Sequence, residues 1–149
     1  MARIKLSIPE KKISTVFIPV RITDINYGNH LGNDALVSLV HEARMQWLKQ
    51  HQYSELNIEG TSLIMSDLAV EYIREAFYGD ILEINIAAGE ISRVGFEIYY
   101  LLETNRNGEQ ITIAKAKTGM VCYDYAAKKV VAVPDRLKEI LVRGLKFEV

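Results

Sequence analysis

Apolar positions along this chain follow two periods, and the change between them divides it into elements. Residues 13–22 (ISTVFIPVRI) are dense in β-branched side chains and predict a first strand. Residues 24–33 (DINYGNHLGN), crowded with Asn, Gly and Asp, predict a loop. Over 34–50 apolar residues return every three to four positions. Leu36, Leu39, Val40, Ala43 and Trp47 make one stripe of an amphipathic helix. Asn33 is suited to cap that helix, and Asp34 to the positive end of its dipole. The period then becomes two: Leu68, Val70 and Tyr72 share a face, while Glu71 points the other way. Residues 81–88 alternate likewise, between a Tyr78-Gly79-Asp80 turn and Gly89. Longer strands are predicted at 94–104 and 109–123, joined through Asn107-Gly108, the strongest short-range hairpin signal. A short strand is expected at 129–133. Pro134 then opens a second helix that runs to roughly Leu145.

The order of strand, striped helix, several antiparallel strands and short helix makes this an α+β chain. One helix cannot cover both faces of so long a sheet. The sheet is therefore expected to curve around the first helix, with its edges and back face covered by another copy of the chain. A length of 149 residues suits one domain, 1–149. With 49% apolar and 25% charged residues, the composition is that of a globular chain rather than a disordered one. A formal net charge of -1 argues against a nucleic-acid partner. No apolar run is long enough to span a bilayer, and the opening Met-Ala-Arg-Ile-Lys lacks the apolar segment of a signal peptide. The single Cys122 rules out an intrachain disulfide framework, and together these features point to the cytoplasm.

Two motifs sit on this frame. The first is Asp24-Ile25-Asn26-Tyr27-Gly28-Asn29-His30-Leu31-Gly32-Asn33, followed in the helix by Glu42-Ala43-Arg44. The second runs Val70-Glu71-Tyr72-Ile73-Arg74-Glu75-Ala76-Phe77-Tyr78-Gly79-Asp80. With the element order, they resemble the 4-hydroxybenzoyl-CoA thioesterase family of hot-dog proteins over nearly the whole chain. In that family the loop reads D-x-D-x-x-G-H-x-N-N. The resemblance implies a hot-dog fold, with a curved antiparallel sheet of five or six strands around a long central helix. It also implies an acyl-CoA or acyl-carrier-protein thioester as substrate and a homodimer or homotetramer as the working form. No resident cofactor is implied, coenzyme A being part of the substrate. One departure from the pattern bears on the chemistry. In the family's best-understood branch the second Asp of the loop is catalytic, and here it is Asn26, whose amide can neither accept a proton from water nor attack as a carboxylate.

Thioester hydrolysis needs an activated water, a stabilised oxyanion and a place for the acyl and pantetheine arms. Gly32, Asn33 and Asp34, at the start of the helix, can present free N–H groups to a carbonyl oxygen, or simply make a capped helix start. His30 is placed either to move a proton and polarise the carbonyl or to hold the loop in shape. Asn26 is a water or carbonyl positioner or an Asx-turn residue. Asp24 is a surviving base or a loop-shaping acceptor. Glu42, off the apolar stripe, is a candidate base in place of the missing Asp, or a surface carboxylate paired with Arg44 or a partner chain. Arg93, Arg74, Lys115 and Lys117 are candidates for the coenzyme A phosphates. Cys122 reads as a core residue. His41 and His51 lack metal-ligand spacing, so no metal site is expected. Two other activities stay open. A hot-dog hydratase or dehydratase would use a D-x-N-P-x-H loop, which Asp24, Asn26 and His30 match in part, with Tyr27 in place of Pro and one extra residue before His30. A non-catalytic acyl-CoA binder would be consistent with Asn26.

Overall fold

The structure, a computed structural model, describes residues 3–143. Its elements are β1 (Ser14–Pro19), α1 (Asn33–Gln50), β2 (Ser62–Tyr72), β3 (Ile81–Ile91), β4 (Gly95–Arg106), β5 (Glu109–Asp124), β6 (Lys129–Val130) and α2 (Asp135–Arg143). The strands form one antiparallel sheet in the order β1-β3-β4-β5-β2, with β6 paired to the end of β5. Helix α1 packs its stripe on the inner face. Leu36, Leu39, Val40, Ala43 and Trp47 are each no more than 2% exposed. They meet the inward residues of the middle strands, among them Leu82, Ile84, Ile86, Ile98, Tyr100 and Leu102. The predicted curved sheet around a central helix is the architecture found. Among the described residues no helix is long and apolar enough to cross a membrane.

Several boundaries move, each for a local reason. The first strand ends at Pro19 rather than residue 22. The chain turns there into a short 3-10 helix, Ile22–Asp24, closed by the Asp24 carboxylate accepting the Arg21 N–H at 2.9 Å. Gly32, not Asn33, is the N-cap of α1, since its carbonyl takes the first helical bond, from Leu36 N–H at 3.0 Å. A side chain there would meet Asp34, whose Oδ1 lies 2.8 Å from where a Cβ would stand. Strand β2 begins at Ser62, earlier than the alternation shows, and carries a bulge between Met65 and Asp67. The strand expected at 129–133 narrows to Lys129–Val130. Asn107 and Gly108 do make the β4–β5 turn, with φ of 54° and 81°, the left-handed pair a tight hairpin requires. Helix α2 follows Pro134, whose carbonyl accepts Lys138 N–H. The expected end near Leu145 lies outside the described residues.

Candidate functional site

The polar loop between β1 and α1 is folded by its own hydrogen bonds. Asp24 is buried, and its carboxylate is spent on the backbone and guanidinium of Arg21, while its carbonyl accepts Gly32 N–H at 3.0 Å. Asn26 Oδ1 accepts Gly28 N–H at 2.8 Å, an Asx turn, and the Asn26 N–H bonds the His30 carbonyl at 2.9 Å. Asn29 closes this turn at φ 66°, where the family motif has Gly; Asn is the residue that best tolerates that conformation after Gly. The tight turn lifts His30 to the loop's rim. Its Nδ1 lies 3.3 Å from the Leu31 carbonyl and its Nε2 3.6 Å from Glu75 Oε1, with about a third of the side chain (32%) exposed.

The end of β2 returns to the same place. Two successive N–H groups, of Ile73 and Arg74, bond the Ile113 carbonyl at 3.0 Å each, which bends the chain out of the sheet. The Ala76 carbonyl then accepts Leu31 N–H at 2.8 Å. Tyr72 points inward and donates its hydroxyl to the Asn33 carbonyl at 3.0 Å. Burial first, and the nearby Asp34 carboxylate second, raise the Tyr72 pKa above the ordinary phenol value, which keeps the hydroxyl a donor. His30, Asn33, Leu36, Tyr72, Arg74 and Glu75 thus line one cleft of about 250 Å³ at the start of α1. The first-turn N–H groups of Asn33, Asp34 and Ala35 have no acceptor within the helix by geometry and carry its positive end. Imidazole, phenol, carboxylate and free helix amides around one opening are the parts an acyl-transfer site uses.

A thioesterase-like superfamily family model matches residues 20–141. This chain belongs to the thioesterase-like superfamily. A protein of Aquifex aeolicus named "Putative esterase" is 29% identical over 102 residues, covering 67% of this chain and 75% of that one. The fold is shared with the crystal structure of a 1,4-dihydroxy-2-naphthoyl-CoA thioesterase from Synechocystis (TM-score 0.76, 21% identity, 86% of this chain and 94% of that one). It is also shared with a thioesterase superfamily structure from Jannaschia (TM-score 0.78, 12% identity, 87% and 81%). The hot-dog fold expected from the motifs is therefore the fold of the molecule.

Within one chain of this thioesterase-like protein, the candidate residues divide. His30, Asn33 and Arg74 line the cleft, with Gly32 and Asp34 beside them, and Asn26 and Asp24 shape the loop behind. Glu42 is exposed, accepts a hydrogen bond from Gln46 at 2.8 Å, and stands nine residues, or about 13 Å, along α1 from Asn33. Arg93 is at the other end of the sheet: β4 starts opposite Val121, whereas Tyr72 lies opposite Ala114, about 23 Å along β5. Lys115 and Lys117 alternate with the buried Ala114 and Ala116, so they face the outer side of the sheet. Lys117 is held there by Asp67 at 2.8 Å and Glu97 at 3.6 Å. Among the described residues no cluster of three or more His, Cys, Asp or Glu side chains is arranged to hold a metal.

Sequence reasoning missed two features. Tyr72 and Glu75 were within the second motif, but alternation alone does not show that β2 bends towards the loop. Arg44 does not pair with Glu42. It is 4% exposed, bonds Glu55 at 2.7 Å and donates to Tyr100 at 3.1 Å. Tyr100 in turn meets Thr118 at 2.8 Å, and His41 meets Glu55 at 2.6 Å. This polar chain underlies a second groove between α1 and β2, beside Val37, Leu63, Met65 and Leu68.

Proposed function

We propose that this chain hydrolyses an acyl-CoA thioester to free acid and thiol, working as a homo-oligomer. The observation that carries this reading is that His30 lines the same cleft as Asn33 at the amide end of α1. A thioester carbonyl oxygen set against the first-turn N–H groups would gain negative charge as water adds, and those dipoles stabilise it without reorganisation. Asp34 folds over Gly32 in the same region. It is exposed, so rotation about its χ1 clears the amides for substrate. Water's oxygen bonds to the carbonyl carbon and its proton passes to His30. The carbon–sulfur bond then breaks and the proton returns to the leaving sulfur. Asn26 takes no proton and keeps the loop in the shape that presents His30. Arg74, exposed at the cleft rim, suits a phosphate of coenzyme A; Arg93 reaches such a site only from a neighbouring copy. The missing loop Asp also favours a second reading, a binder without turnover.

The test is thiol release from a panel of acyl-CoA thioesters, with calorimetric titration alongside. Turnover is expected, and His30→Ala is expected to lower it by about 10²–10⁴-fold. Tight binding with hydrolysis at the uncatalysed rate would favour the binder. Loss of enoyl absorbance without thiol release would point to a hydratase.

A further inference from the structure

We propose that Glu75 is the catalytic carboxylate of this cleft, acting with His30 on the attacking water in the role that Asn26 cannot fill. The inference rests on the hydrolase reading and deepens it. Its geometry comes from the Leu31–Ala76 hydrogen bond at 2.8 Å, which zips the loop to the segment after β2 and sets the preceding residues, His30 and Glu75, side by side. His30 Nε2 and Glu75 Oε1 are 3.6 Å apart, near enough for one water to be held by both.

Glu75 is exposed along its side chain (61%), yet its backbone is fixed on both sides. Its carbonyl accepts Arg106 Nη2 at 2.8 Å, and Arg106 is itself anchored by Asp80 at 2.7 Å and lies over the Phe77 ring, 5.1 Å from its centroid. Arg74 before it is pinned to the Ile113 and Thr112 carbonyls. Ala76 after it is buried. Two other carboxylates near the loop are engaged elsewhere: Asp24 with Arg21, and Glu42 with Gln46 two turns up the helix.

The His30 ring supports the pairing. With Nδ1–H donating to the Leu31 carbonyl, Nε2 presents its lone pair to the cleft, towards Glu75. As the water oxygen bonds to the carbonyl carbon, the His30–Glu75 pair takes one proton and the carbonyl electrons move onto oxygen at the α1 amides. When those electrons return, the carbon–sulfur bond breaks and the pair gives the proton to the thiolate. Acid and thiol are the products, and no further reagent is needed.

The experiment compares the full chain with Glu75→Gln, Glu75→Asp, Glu42→Gln and the double variant Glu75→Gln/Asn26→Asp, using the acyl-CoA that the wild type hydrolyses best. Thermal midpoint and near-ultraviolet dichroism check each fold. Glu75→Gln is expected to lower kcat by about 10²–10⁴-fold with little change in KM. Aspartate at 75, and the carboxylate restored at 26, are each expected to recover part of kcat, which a structural role for Glu75 would not produce. An active wild type whose Glu75→Gln variant keeps its kcat overturns the Glu75 assignment and leaves the hydrolase reading standing. So does loss of kcat in Glu42→Gln alone. A wild type that releases no thiol from any member of the panel overturns both.

Discussion

Glu55 draws together Arg44 at 2.7 Å, His41 at 2.6 Å and, through Arg44, the buried Tyr100. Burial works to raise its pKa, but hydrogen bonds from Arg44 and His41 prevail and hold the carboxyl below its ordinary value of 4.5. A depressed folded-state pKa stabilises the protein above that ordinary value and loses the effect as pH falls through the folded one. The wild type is therefore expected to lose stability on acidification below pH 4.5 more steeply than Glu55→Gln, as read from urea midpoints across that range. Cys122 is the opposite case, a group kept out of chemistry. Burial pushes its thiol up to about 11, so little thiolate exists at neutral pH. A thiol reagent is expected to label it at the rate of unfolding, and rapid labelling of the native protein would contradict this. At this scale the sequence reading of Cys122 was sound, because an apolar strand surrounds it. Arg44 was not legible, since its partners Glu55 and Tyr100, and Thr118 behind Tyr100, come from three separate stretches of chain.

Elements were read most securely where one physical cause dominates. The α1 stripe follows from period 3.6 alone, and the β4–β5 hairpin from two residues that accept positive φ. A methyl at Gly108 meets nothing within 4 Å, so Gly108→Ala isolates the backbone term. It is expected to cost about 1–2 kcal/mol in chemical denaturation, with Asn107 unchanged. Where two causes compete, the boundaries slipped. Asn33 is a better capping residue than Gly32 by side-chain preference, yet Gly32 takes the cap because its own backbone is extended while its carbonyl already accepts Leu36 N–H. β1 lost its last residues to the Asp24 turn for a similar reason: a buried carboxylate with three hydrogen bonds outweighs the strand preference of Val20 and Ile22.

For the whole molecule, the sheet leaves β2 as an edge of 11 residues, paired on one side to β5. Met65 is exposed there (42%), beside the groove that α1 and β2 form. On the other side of the sheet the segment before β1 spans from edge to edge. Ile13 N–H bonds Ile86, Leu6 N–H bonds the outward Glu71 carboxylate, and Arg3 reaches the Tyr72 carbonyl. An open edge with apolar exposure is what a second copy would cover. Met65→Glu is accordingly expected to leave the fold intact while shifting sedimentation from oligomer to monomer and lowering thioesterase turnover. A wild type that sediments as a monomer would argue against this. The amino-acid order by itself determined the two periods, the turns that separate them and hence the list of elements, because those depend on neighbours a few residues away. It also placed His30 and the amide end of α1 together, since they adjoin in the chain. Only the tertiary structure decided that the end of β2 bends back to them, that Arg93 and the outer-face lysines lie elsewhere, and that Glu75 rather than Glu42 faces His30. Those relations depend on strand register and on one backbone hydrogen bond between residues 31 and 76, and no local pattern encodes a contact across such a separation.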